Sequence, residues 1–166
     1  MQFIQIQYCK MKDGSSISSF REQFTQKEKD ALQLLSVRAM SDGAVLSKET
    51  RTDTKSGKSY SVLRLEAGRN DYVKFELEVP GEGEYKLYFS NFKGPDCGSF
   101  AVNQRQVPIN RKIDAFAGEN TFVAKEYIGS LFIREGTNTI TVVLKENPEE
   151  AGKGSFILNR IYLEKI

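Results

Sequence analysis

Residues 72–92 read YVKFELEVPGEGEYKLYFSNF, and this stretch restricts the fold more than any other. Val73, Phe75, Leu77 and Val79 alternate with Tyr72, Lys74, Glu76 and Glu78, the period of a strand with one face in a core and one in water. Tyr85, Leu87 and Phe89 repeat the pattern after PGEG, where Pro80 fixes φ and the glycines tolerate positive φ. The two runs predict an antiparallel hairpin. The same rhythm holds from Ser41 onward, in SVLRLEA, Phe100 to Val102, Ile113, Tyr127 to Ile133, Thr139 to Leu144 and Phe156 to Leu163. Clusters of Gly, Asn, Asp and Pro separate these runs at the spacing of an all-β sandwich or barrel. Strands and helices do not alternate there, which argues against a parallel α/β sheet.

The first 36 residues differ. QFIQIQY places Ile4, Ile6 and Tyr8 opposite Gln5 and Gln7, a half-buried strand. From Ser19 to Leu35 the period lengthens: Phe20, Phe24, Ala31 and Leu35 share a helical face, and Ser19 with Glu22 reads as a capping box. Residues 1–36 are therefore expected to form an N-terminal extension of one strand and a short helix, packed on a sandwich domain over residues 37–166 or left from a neighbouring domain. The length suits one ordinary domain with its own core.

Composition removes several function classes. Charged residues make up 28% of the chain yet net only +2, with the signs interleaved, so no face is committed to nucleic acid or to an anionic membrane. The densest basic stretch, Arg105 to Lys112, holds three cations among polar neighbours and reads as a solvated turn. No apolar run is long enough for membrane insertion, and no basic stretch leading into an apolar signal core follows Met1. Histidine is absent, which excludes Ser-His-Asp and Cys-His nucleophiles and imidazole metal sites. Cys9 and Cys97 are too few and too distant for a disulfide framework or a zinc pattern.

Loop length suggests where function sits. Antiparallel neighbours reverse direction, so alternate connections emerge at opposite ends of a sandwich. One end receives PGEG, NQRQ and REGT; the other receives GRND, NFKGPDCG, FAGENTF and KENPEEAGKG. Long polar loops thus gather at one pole, the arrangement that rigid scaffolds use for recognition. Asn91, Asp96, Asp114, Glu119, Asn120, Glu146 and Asn147 offer polar contacts there, while Phe92 and Phe116 offer apolar faces. A sugar needs that mixture, because its hydroxyls require paired hydrogen bonds and its C–H faces stack on aromatic rings. The same residue types also serve ordinary turn geometry. Asp114, Glu119 and Glu126 lie close in sequence, but their spacing shows no carboxylate pair set across a cleft for glycoside hydrolysis. Glu28, Asp30, Asp42 and Asp71 are hard oxygen donors of the kind a structural calcium takes.

Beyond about residue 40 the chain resembles the galactose-binding-like jelly-roll domains. Asp71 to Tyr85, Ile113 to Phe116, Ile128 to Thr141 and Glu146 to Leu163 resemble the hairpins, turns and closing strand of carbohydrate-binding modules and of the jelly-roll accessory domain of bacterial glycoside hydrolases. The resemblance implies a jelly-roll β-sandwich of two antiparallel sheets, noncatalytic, bacterial, and extracellular or on the cell surface. Its implied partner is an oligo- or polysaccharide, or else other domains or subunits of a parent protein. Asn91, Phe92, Asp96, Asp114, Phe116 and Asn147 are the expected ligand-binding residues. Asn159 stands where many such modules carry an aspartate on a structural calcium, which leaves that cofactor open.

Overall fold

A computed structural model describes residues 3–6, 10–11, 35–78, 81–147 and 152–166. Their strands are β1 (Phe3–Ile6), β2 (Lys10–Met11), β3 (Leu35–Met40), β4 (Val45–Thr52), β5 (Ser59–Ala67), β6 (Tyr72–Glu78) and β7 (Gly83–Lys93). There follow β8 (Ser99–Gln104), β9 (Val107–Pro108), β10 (Ile113–Asp114), β11 (Thr121–Ile133), β12 (Thr137–Glu146) and β13 (Gly154–Lys165). One sheet runs β11-β7-β13-β5-β4, with β1 also on β13; the other runs β10-β8-β12-β6-β3-β2, with β9 on β8. Every pairing between these strands is antiparallel except that of β2 with β3; isolated parallel bridges also join Gly94 to Phe116 and Cys97 to Ser155. No helix occurs among the described residues, and the helical period expected from Ser19 lies outside them except for Leu35, which opens β3.

The alternation seen in the sequence decides which side chains enter the core. Val73, Phe75 and Leu77 on β6 and Tyr85, Leu87 and Phe89 on β7 are fully buried. Phe100 of the second sheet packs between Phe89 and Phe156 of the first, with ring centroids 6.2 and 4.7 Å away. Each such ring contributes roughly 1.5–3 kcal/mol through the apolar surface it removes from water.

Phe92 is out of phase with Phe89 on β7 and so belongs to the opposite face of that sheet. It is nevertheless fully buried, because the β4–β5 hairpin folds across it. Tyr60 stacks on Phe122 at 3.8 Å and meets Phe92 edge-on at 5.8 Å. Asp53, in the hairpin turn, accepts hydrogen bonds from the Ser56 and Phe122 amides and so ties the turn to the start of β11. At the other side of the sandwich Asn110 joins the sheets, accepting from the Val102 N–H and donating to the Ile128 carbonyl.

Strand register places the connections. Ala67 pairs with Gly154, Lys93 with Thr121 and Ser99 with Glu146, so GRND, the 94–98 loop, the 115–120 loop and the ends of the 147–153 connection share one pole. Gly83 pairs with Ile133, Glu78 with Thr137 and Gln104 with Val107, which collects the short turns at the other.

A candidate ligand cleft at the long-loop pole

Three segments enclose a cleft of about 520 Å³ at the long-loop pole. The β7–β8 loop supplies Pro95, Cys97, Gly98 and then Ser99; β10 and the residues after it supply Asp114 and Phe116; the end of β12 supplies Glu146 and Asn147. Gly98 sets their spacing: any Cβ there would run into the Glu146 carbonyl, so glycine alone lets β8 begin this close to the end of β12. Backbone bonds from Ala115 N–H to the Gly98 carbonyl and from Gly94 N–H to the Ala115 carbonyl hold the third segment against the first.

Within the cleft, Asp114 Oδ1 accepts the Phe116 N–H at 2.9 Å, an Asx-type turn. Ala115 is buried and Phe116 is left 55% exposed on the cleft wall. Ser99 is 3% exposed and its hydroxyl has no partner. Asn147 donates Nδ2 to the Gly152 carbonyl at 3.2 Å, while its Oδ1 is buried without a partner. Glu146 holds Lys112 at 2.9 Å on the rim.

A salt-bridge network braces the β7–β8 loop from below. Arg51 on β4 grips both carboxylate oxygens of Asp96, at 2.8 and 2.9 Å, and also reaches Glu49. The hydrogen bonds from Arg51 hold the Asp96 carboxyl below its usual range. Burial pushes the neighbouring Cys97 thiol up to about 12, so it remains a protonated wall group and not a nucleophile.

Of the residues singled out in the sequence, Asp114, Phe116 and Asn147 meet on this cleft. Asn91, Phe92 and Asp96 do not line it. Asn91 is buried in β7 with neither end of its amide partnered, Phe92 is enclosed by Tyr60 and Phe122, and Asp96 is held by Arg51. Glu126 sits elsewhere, 3.9 Å from Lys93, its carboxyl raised by burial. Gly98 and Ser99 carried no local signal, since their role depends on a strand more than forty residues later.

The calcium option does not fit the described residues. No three acidic or other metal-binding side chains converge among them. Asn159 has its amide engaged, accepting from the Ser90 hydroxyl and donating to the Ser61 carbonyl, and Asp71 accepts the Gly68 N–H. Glu28 and Asp30 lie outside the described residues.

The sequence matches, over residues 33–166, the family described as a domain of unknown function (DUF8441), and the chain belongs to that family. No curated protein matches it. Among solved structures, Paenibacillus xanthan lyase aligns at 18% identity with a TM-score of 0.63, over 80% of this chain and 12% of that one. The Podospora anserina GH26-CBM35 β-(1,4)-mannanase aligns at 15% identity with a TM-score of 0.52, over 77% of this chain and 26% of that one. The C-terminal CBM6 of a Zobellia galactanivorans laminarinase aligns at 12% identity and a TM-score of 0.47, over 99% of this chain and all of that one. This chain thus corresponds to a small part of each of the first two, and what they share with it is the sandwich fold.

Proposed function

We propose that this member of the DUF8441 family is a noncatalytic carbohydrate-binding module that takes a glycan in the long-loop cleft. One observation carries the reading: the exposed Phe116 ring stands in the same cleft as the unpaired polar atoms of Ser99 and Asn147. A sugar supplies a C–H face for the ring and hydroxyls for the unpaired atoms, and the cleft volume suits a small ligand. The sandwich shared with segments of a xanthan lyase and a mannanase, both named for polysaccharides, supports a glycan ligand. Such a module works where polysaccharide is found, outside the cell or on its surface.

Asp114 and Glu146 both line the cleft, yet both are exposed and Glu146 is paired with Lys112. That is the opposite of the apolar seat in which a general-acid carboxyl stays protonated, so the reading is binding and not hydrolysis. Calorimetric titration against plant and bacterial polysaccharides tests it. Phe116→Ala should weaken the best ligand about ten-fold, roughly 1.4 kcal/mol. Unchanged binding by Phe116→Ala and Asp114→Ala together would move the site away from this pole.

A second reading draws on the short-turn pole, where Val107 and Phe132 are 63% and 50% exposed. They are linked through Gln104, which pairs with Val107 and exchanges two hydrogen bonds with the Phe132 backbone. Exposed apolar groups of this kind suit docking onto another domain or subunit of a parent protein. No binding across the polysaccharide panel, with self-association abolished by Phe132→Ser, would favour it.

A further inference from the structure

The side-chain polar atoms around the cleft are mostly acceptors: two exposed carboxylates, and in its wall the buried, unpaired oxygens of Ser99 and Asn147. Asn147 has Nδ2 committed to the Gly152 carbonyl and presents only Oδ1. Asp114 uses Oδ1 for the Phe116 amide, and no cation pairs with it among the described residues. Glu146 adds a second carboxylate, compensated by Lys112, and among the described residues no Lys or Arg lines the cleft. Ser99, almost wholly buried, adds an unpaired hydroxyl that can either accept or donate, so the preference rests on Asn147 and the carboxylates.

A sugar hydroxyl both donates and accepts, whereas an ammonium group has three N–H donors and no acceptor. A set of acceptors with one uncompensated negative charge matches the ammonium better. It disfavours a uronate or sulfate, which would place a second anion beside Asp114 with no cation to receive it. We infer that the cleft selects glycans bearing free amino groups, such as glucosamine polymers, over their N-acetylated and uronate-bearing counterparts. This rests on the glycan reading above and narrows it to one ligand class. The Phe116 face separates an amino sugar from a simple polyamine, which has no ring to stack.

Calorimetry with the full chain tests the inference, using four probes: a chitosan oligosaccharide with free amines, the same oligosaccharide fully N-acetylated, an oligogalacturonate, and spermidine. In mildly acidic, low-salt buffer the free-amine oligomer should bind about three- to five-fold tighter than the acetylated one, the size expected of exposed charge pairing. Added salt should shrink that ratio, and spermidine and oligogalacturonate should bind most weakly. Asp114→Asn keeps an oxygen for the Phe116 amide and should narrow the ratio to below two; Glu146→Gln, on the exposed rim, provides a second variant with no buried contact to lose. Equal affinity for the amine and acetyl oligomers, tighter uronate binding, or spermidine matching the oligosaccharide overturns the inference and leaves glycan binding standing. Absence of binding to any member of the wider polysaccharide panel overturns both.

Discussion

At the short-turn pole Asn138 accepts the Arg134 N–H and donates to the Arg134 and Gly136 carbonyls, Tyr85 donates to the Gly81 carbonyl, and Gln104 closes on the Phe132 backbone. At the long-loop pole Ser99 and Asn147 keep polar atoms unpaired beside an exposed phenylalanine. At the first pole Asn138, Tyr85 and Gln104 each hold a turn; at the second, Arg51 braces the β7–β8 loop from outside the cleft while Gly98 sets the spacing of the cleft walls. Unpaired buried polar atoms are costly, by about 1–3 kcal/mol each. The two in the cleft are the groups that the proposed ligand would pair. Asn91 on β7, with both ends of its amide unpaired, and Asn103 on β8, with an unpaired Oδ1, are exceptions that do not line the cleft.

The contrast can be broken most forcefully at Gly98. Alanine there has no room beside the Glu146 carbonyl, and Gly98→Ala should destabilise by about 3 kcal/mol in thermal or denaturant unfolding. Gly118→Ala, at a position with open space, is the matched control and should cost well under about 1 kcal/mol. Equal effects would mean that the cleft floor is not tightly packed.

Arg51→Met should cost about 2 kcal/mol, since it removes the hydrogen-bonded partner of Asp96 and Glu49 and leaves them only the longer 3.7 Å approaches of Arg64. Hydrogen exchange should rise in residues 94–98 first. This variant also carries a pH signature. The Asp96 carboxyl is depressed by its hydrogen bonds from Arg51, so its contribution is complete above about pH 4, the unfolded carboxylate value, and is lost as pH falls through the lower folded value. Asp53, depressed by hydrogen bonds from Ser56 and then Phe122, adds to the same acid limb. Wild type should therefore lose more stability than Arg51→Met between neutral and strongly acid pH; parallel curves would remove the pair from the account.

Asn138→Ala sharpens the comparison from the opposite side. Losing the three hydrogen bonds of the buried Asn138 side chain should lower stability by about 1.5 kcal/mol while leaving glycan affinity alone. A parallel fall in affinity would show that the poles are coupled. Smallest is the β8–β9 turn, where Arg105 and Gln106 both sit at positive φ, 51° and 67°. Replacing the pair with Asn-Gly, which such a turn favours, should stabilise by about 1 kcal/mol, and a lower melting temperature would contradict the turn assignment.

Much of this arrangement is legible in the amino-acid order. The alternation of β6 and β7 predicts their buried faces residue by residue, and counting strand reversals predicts which connections share a pole. Both depend on geometry that repeats every two residues and on turn chemistry confined to a few. The same order places Asp114, Phe116 and Asn147 in loops of one pole, but cannot sort them from Asn91, Phe92 and Asp96, which have the same residue types in the same loops or at their edges.

That sorting is tertiary. Phe92 is withdrawn because Tyr60 and Phe122, each thirty or so residues away, close over the outer face of its sheet. Asp96 is withdrawn because Arg51, forty-five residues earlier, arrives beneath it. Gly98 matters only because β12 ends against it. Local sequence determined the strands, their buried faces and the pole at which each loop emerges, since steric and hydrophobic periodicity act over neighbouring residues. Packing between distant segments decided which loop groups remain open to a ligand, because burial and pairing depend on partners that only the folded chain brings within reach.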